Sequence, residues 1–426
     1  MAASSLNGTL RTRLAVAALA CLLTAALVGA AGWCLRPVSK PPRPLGLEEA
    51  SPAVPTDLGT LATQGGAGTP GAQVTPLPVA ADDTTTAWAT SLGDVGDASL
   101  MGTPHGPIVV APEEYRSSAD GQELPEVATI YALDADTGEL RWQRSIQPAA
   151  LTFTWGSTTS IRAVTSPDGE YLALALQPQG LQPPVQTVVV LSSGTGEVVR
   201  SVETRENLLG LALTDDALVV QTSSTHHPEG GSVSLYPLAS PKDAASAWPS
   251  TGWLVGATSQ GVIQSATRQW EPCTAAFSGD ECFLSIVTIS DPVTGQVQQT
   301  FDRVTLILPS GVIERLADDQ MVPPPNDPAW ITARRELVNL DTGATTDITG
   351  YRVSRAVAPT GNIWLLSPLA TAPDPDTPVS DLLPPAWTGP DGTVSTDPVE
   401  TIEFDHERQE DTTALTRTTM TMSAEG

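Results

Sequence analysis

Three groups of residues have the types and spacing to do chemistry. Asp134, Asp136 and Glu139 form a D-x-D-x-G-E string around Gly138. Two carboxylates one residue apart resemble the start of a calcium loop, but calcium takes six to eight oxygens, and the third Asx and the distal bidentate Glu are missing. The string is read as a turn, with no metal. His226 and His227, followed by Glu229, stand in THHPEGG. Neighbouring side chains on an extended chain point to opposite sides, so the two imidazoles do not share one ion, and the segment is read as an exposed loop. Cys273 and Cys282 bracket TAAFSGDE. Their spacing makes them a candidate disulfide; two reduced thiols are the alternative, and too few ligands stand nearby for structural zinc. Finally, no G-x-S-x-G, H-E-x-x-H or phosphate-cradling Gly-Lys loop occurs, which lowers the weight of hydrolase and nucleotide chemistry without removing it.

The elements that must position these residues begin with an apolar run. Residues 14–35, LAVAALACLLTAALVGAAGWCL, are 22 positions without a charge. As a helix rising about 1.5 Å per residue, the run is long enough to cross a hydrocarbon core of about 30 Å. It is read as an uncleaved signal anchor behind a short cytoplasmic tail, residues 1–13, with a cleaved signal peptide or a lipidated cysteine as rivals. Basic residues flank it on both sides, Arg11 and Arg13 before and Arg36, Lys40 and Arg43 after, so the positive-inside rule is nearly a tie. The short N-terminal flank and the cysteine pair favour placing everything after the run outside the cytoplasm.

Residues 36–86 hold nine prolines, many glycines and no hydrophobic periodicity, the composition of a disordered linker. Beyond the first 47 residues the chain carries 16 basic against 48 acidic residues, a net charge of −32. Such a field repels nucleic acid and anionic lipid and favours cationic partners.

From residue 87 to 405 a unit recurs: an alternating apolar run, a turn rich in Asp, Thr and Gly, and a second strand. Copies are TIYALDADTGELRWQRSI at 129–146, TVVVLSSGTGEVVRSV at 187–202, SIVTISDPVTGQVQQTF at 285–301 and RELVNLDTGATTDI at 335–348, with VSLYPLASPKDAASAW at 233–248 as a degenerate fifth. The turn glycines are Gly138, Gly196, Gly295 and Gly343; with Pro241 in the missing place the steps are 58, 45, 54 and 48 residues, a spacing expected of four-stranded repeat units. In each hairpin an Asp or Ser opens the turn by bonding backbone N–H groups, and Gly takes the positive φ that closes it. A second hairpin precedes some copies, SPDG at 166–169 and APTG at 358–361.

The YALDADTGELRW pattern resembles the repeat of quinoprotein-type (PQQ-like) β-propellers, and SPDG resembles the inner hairpin of related bacterial propellers. The resemblance implies an all-β fold, a β-propeller of six to seven four-stranded blades, preceded here by one transmembrane helix and the linker. A seventh blade would close by pairing a strand near Trp88 with one near Ala414 in the polar tail, residues 406–426. A pair of β-sandwiches is the structural alternative. In the family the repeat tryptophan, here Trp142, docks neighbouring blades. The enzymes of the family stack their quinone on adjacent cysteines, which this chain lacks, so no cofactor is expected. The functional expectation is a non-catalytic binding or scaffold domain held at the cell membrane, contacting a protein or envelope component. The alternative is an extracytoplasmic hydrolase or lyase with a carboxylate-based active site.

Overall fold

The computed structural model describes residues 46–47 and, with breaks, 74–422; the breaks are 94, 96–97, 114–126, 148, 152–162, 179–185, 226, 240–245, 273–280, 309–310, 324–327, 331, 370–382 and 406–412. The expected membrane helix at 14–35, most of the linker, Cys273, His226 and His406 lie outside the described residues. Among the described residues the chain is all-β, its only helical piece being a 3-10 turn at Pro328–Trp330.

The strands run as antiparallel meanders. The first sheet orders Ser99–Thr103, Gly106–Glu113, Val127–Leu133 and Leu140–Gln147. The second runs from Ala163–Thr165 through Tyr171–Pro178 and Gln186–Ser192 to Val198–Thr204. The third holds Asn207–Leu213, Ala217–Ser223, Ser232–Pro237 and Ser246–Pro249. The fourth comprises Trp253–Thr258, Gly261–Pro272, Glu281–Ser290 and the start of Val297–Leu308. The end of that last strand opens the fifth, which continues through Val312–Leu316, Arg335–Asn339 and Thr345–Asp347. The sixth takes Tyr351–Ala358, Gly361–Pro368, Ala386–Thr388 and Val394–Ser395.

One strand serves two sheets because of a bend at Arg303. Phe301 pairs with Val287 of the fourth sheet, while Leu306 pairs with Glu314 of the fifth. Between them Arg303 has φ 61°, a left-handed conformation that costs a non-glycine residue about 1–2 kcal/mol. Its guanidinium spans the bend, donating to Ala317 O and Asp318 O at 2.6 Å each and to Gln320 O.

A closing group joins the two ends of the described chain. Val399–Asp405 pairs with Ala414–Met420, which pairs with Thr86–Ser91, with Leu415 opposite Thr90 and Arg417 opposite Trp88. Thr75–Pro76 adds to the outer edge of this group, and Gly46–Leu47 pairs with Gln147 and Ile146 of the first sheet; both short strands fall in the stretch read as linker. The innermost strands touch in sequence, Ser99–Thr103 on Ala163–Thr165, then Asn207–Leu213, then Trp253–Thr258, and Tyr351–Ala358 returns to Ser99–Thr103. Radial meanders around an axis, with the two chain ends joined by strand pairing, make the described residues a β-propeller.

Cohesion comes from apolar side chains between neighbouring sheets. Ile108, Ile130, Ala132 and Trp142 of the first sheet pack with Leu172, Leu174, Val189 and Leu191 of the second. Each fully buried Ile or Leu of this kind contributes about 1.5–3 kcal/mol relative to leaving it exposed. Three tryptophans fasten one sheet to the next turn. Trp88 Nε1 donates to Ala135 O at 2.9 Å, Trp142 Nε1 to Ser193 O at 3.0 Å and Trp248 Nε1 to Pro292 O at 3.3 Å. Trp142 therefore does what the repeat implies, and Trp88 does the same across the joined ends.

Candidate functional site

In each meander the first-to-second and third-to-fourth turns emerge at the same face. Pro104, Ser166, Asp215, Ser259, Asp341, Thr360 and Pro390, from six different sheets, gather around one cavity of about 490 Å³ at the mouth of the ring. Asn362 and Trp364 complete part of its wall.

Local turn chemistry holds the polar groups of this mouth in place. In the SPDG hairpin, Ser166 Oγ donates to Asp168 Oδ1 at 2.5 Å, the N–H of Glu170 reaches the same oxygen at 3.0 Å, and Gly169 has φ 74°. The N–H of Asp168 then donates to Asp215 Oδ1 at 3.0 Å, linking the second sheet to the third. Across the mouth Asp341 Oδ1 accepts the N–H of Ser259, and Gln260 Nε2 donates to Asp341 O at 3.0 Å, linking the fourth sheet to the fifth.

These carboxylates shape the electrostatics. Burial pushes Asp215 above the usual carboxylate range; the N–H of Asp168 opposes the shift, and the charges of Asp168 and Asp341 add to it. Just behind the wall, the Arg355 guanidinium reaches Asn362 Oδ1 from Nε at 3.3 Å and from Nη2 at 3.0 Å, and makes no salt bridge among the described residues. Burial pushes Arg355 below its ordinary value. The mouth thus presents fixed negative charge with one cation behind Asn362, an arrangement suited to holding a positively charged group. No described group of three His, Cys, Asp or Glu side chains is placed to hold a metal ion.

The repeat residues singled out by sequence fall in the turns. Asp134 Oδ1 accepts the N–H of Asp136 at 3.0 Å, the N–H of Thr137 at 2.9 Å and Thr137 Oγ1 at 3.0 Å. Partial burial raises the Asp134 pKa, but these donors, with the charge of Arg141, outweigh it and hold the group below its usual range. Gly138, Gly196, Gly295 and Gly343 have φ of 69°, 71°, 71° and 72°. Asp136 points elsewhere: Arg417 Nη1 donates to its Oδ1 at 2.8 Å and Nη2 to Glu400 Oε2 at 2.5 Å, tying the first sheet to the closing group. His227 sits exposed in its loop, away from the mouth. The backbone of Cys282 pairs with Glu271 in a hairpin; Cys273, beyond the described residues, leaves the bridge outside the structural account.

Sequence reading missed Asp168, Asp215 and Asp341 as a set, because only the ring closes the distance between them. Nor does the sequence disclose the pairing of His105, whose Nε2 lies 2.9 Å from Glu170 Oε2 and bridges the first and second sheets.

Neither the family models nor the curated proteins include a match to this chain. Among solved structures, the β-propeller domain of the Trilobed protease from Pyrococcus furiosus is similar with a TM-score of 0.41 and 9% identity, covering 72% of this chain and 90% of that one. BamB from Moraxella catarrhalis is similar with a TM-score of 0.33 and 10% identity, covering 82% of this chain and 100% of that one. TolB from Acinetobacter baumannii has a TM-score of 0.29 and 12% identity, covering 75% of this chain and 78% of that one. Likenesses this distant carry no argument about function, and the fold rests on the sheet topology.

Proposed function

We propose that this chain is a non-catalytic binding or scaffold protein, tethered to the cell membrane by residues 14–35, whose extracytoplasmic domain is a propeller of six complete blades and a shorter closing one. In this reading the Pro- and Gly-rich stretch read as linker, residues 36–86, joins the anchor to the β domain, Cys273 and Cys282 are bridged, and the turn-bearing face meets a protein or envelope component through a cationic group. One observation supports it above the rest. The mouth carboxylates Asp168, Asp215 and Asp341 are each engaged by a backbone N–H, and two of these bonds cross from one sheet to the next, so they form a fixed acidic frame. A frame of this kind selects charge and shape, and it adds to the attraction of a chain with formal net charge −27.

The test is crosslinking of the full chain in its native envelope, at low salt and again at salt high enough to bring the Debye length below about 8 Å. A recurring protein partner should be captured at low salt, and capture should fall with salt and with the double substitution Asp168→Asn, Asp215→Asn. A partner bound equally well under all these conditions would remove the acidic mouth from the reading. Protease added to intact, wall-stripped cells should digest the β domain; protection until lysis would reverse the orientation.

A second reading has an observation of its own. A carboxyl raised by burial beside two other carboxylates, as Asp215 is, has the form of a general acid. Hydrolysis or elimination abolished by Asp215→Asn, with the fold unchanged, would favour an enzyme over a scaffold.

A further inference from the structure

The turn glycines that define the repeat are not all covered alike. Gly138 and Gly196 are buried, and a Cβ built on them would stand 2.5 Å and 2.6 Å from ring carbons of Trp88 and Trp142. Gly295 lies in the same way under Trp248. In each case the indole N–H donates to the carbonyl three residues before the glycine: Ala135, Ser193 or Pro292. The slot has the same two parts every time, a flat floor at a side-chain-free residue and one carbonyl acceptor at its end.

Gly343 has the same backbone, φ 72°, yet it is exposed and, among the described residues, nothing lies within 4 Å of where its Cβ would be. The carbonyl three residues earlier, that of Leu340, accepts no hydrogen bond among the described residues. The position that supplies Trp142 to the second sheet, four residues after a turn glycine, is occupied in the fourth sheet by Gln299. That side chain is exposed and turns aside to donate to Gln260 Oε1 at 2.9 Å. What remains is a cavity of about 250 Å³ bordered by Gln299, Phe301, Arg315, Leu340 and Gly343. Arg315, whose guanidinium is paired with Asp318 and Glu336, forms part of its wall, and a guanidinium plane favours an aromatic face.

We infer that the open seam between the fourth and fifth sheets receives an indole side chain presented by a partner protein, the ring lying on Gly343 and its N–H donating to the Leu340 carbonyl. The occupant is identified by the chain itself, which fills three equivalent slots with tryptophan. Asn339 and Thr342 border both this slot and the acidic mouth, so one partner can engage the two together. The inference deepens the reading of this face as a protein-binding face, and its test does not depend on the acidic mouth.

The probe is N-acetyl-tryptophanamide, titrated against the full chain with saturation-transfer NMR and a parallel thermal melt. Saturable binding in the millimolar range is expected for a single ring in a preformed slot. Gln299→Trp should fill the slot from within, weaken probe binding at least about tenfold and raise the melting temperature. Gln298→Trp, one position earlier on the opposite side of the strand and outside the slot, should keep both probe binding and melting temperature, so that loss in the Gln299 variant reads as occupation. The double substitution Asp168→Asn, Asp215→Asn should leave probe binding unchanged even if it abolishes capture of a partner. Equal affinity of wild type and Gln299→Trp, or no binding by wild type at about 20 mM probe, would overturn the inference.

Discussion

The seam between the first and second sheets and the seam between the fourth and fifth are built from the same turn and finished differently. At the first, Trp142 covers Gly196 and joins the core formed by Ile108, Ile130 and Leu191. At the second, Gln299 faces solvent and Gly343 is bare. The hairpin needs its glycine in both places, because the backbone is left-handed in both. Local turn geometry is therefore independent of what lies on top of it, and the covering side chain is a separate choice available for adhesion or for binding.

The largest effect that tests this contrast is removal of the cover. Trp142→Ala should destabilise by about 3–5 kcal/mol, the range for truncating a buried aromatic side chain, whereas Gln299→Ala should stay within about 0.5 kcal/mol. Denaturant midpoints of the two variants decide the matter. A small loss at Trp142 would mean that the indole decorates the seam without fastening it.

Next in size is a pair of glycine substitutions that separates backbone strain from crowding. Gly196→Ala and Gly343→Ala both place a Cβ on a left-handed backbone, at a cost of about 1 kcal/mol. At Gly196 that Cβ also meets the ring of Trp142 at 2.6 Å, so the indole must shift; at Gly343 it meets no atom of the described residues within 4 Å. Gly196→Ala should therefore cost at least about 1–2 kcal/mol more than Gly343→Ala, by the expense of overpacking. Combining it with Trp142→Ala should erase the excess, since the clash goes with the ring. Equal costs in the two single variants would show that the covered and open seams do not differ in packing.

How far these features were legible in sequence follows from how local their causes are. Asp134, Thr137 and Gly138 make a turn whose hydrogen bonds span at most a few residues, so the type and spacing of the residues disclose it. Trp142 was legible as a docking residue only through the resemblance of its repeat copy to the propeller family. Trp88 and Trp248 do the same work without such a mark: Trp88 comes from outside the repeats, and the copy holding Trp248 lacks its turn glycine. The bend at Arg303 was hidden because the strand was read as ending at Phe301, and only the carbonyls of Ala317, Asp318 and Gln320 reveal why an arginine is tolerated there. The mouth was hidden for a geometric reason. Asp168, Asp215 and Asp341 are far apart in the chain and meet because a ring of sheets brings turns of equal rank to one face.

The smallest effect concerns a third kind of seam, between the second and third sheets, which is polar. Arg200 occupies the place of the indole, donating to Pro237 O with its guanidinium 5.2 Å from the Tyr236 ring centre, and Asp215 accepts the N–H of Asp168. Because burial raises the Asp215 pKa in the folded protein, the native state binds that proton more tightly than the unfolded chain does. The stability from this group is fully present below the unfolded value of about 3.9 and is lost as pH rises through the folded one. Asp215→Asn retains an oxygen for the Asp168 N–H and carries no charge, so it should be neutral or slightly stabilising at pH 7, by less than about 1 kcal/mol for a carboxyl only partly withdrawn from water. The stability of wild type minus that of the variant should accordingly fall as pH rises above the unfolded value of about 3.9 and flatten once Asp215 is ionised in both states. A difference that rises with pH over that window would mean that Asp215 is stabilised as an anion, and that the acidic mouth is held by hydrogen bonds strong enough to offset its mutual repulsion.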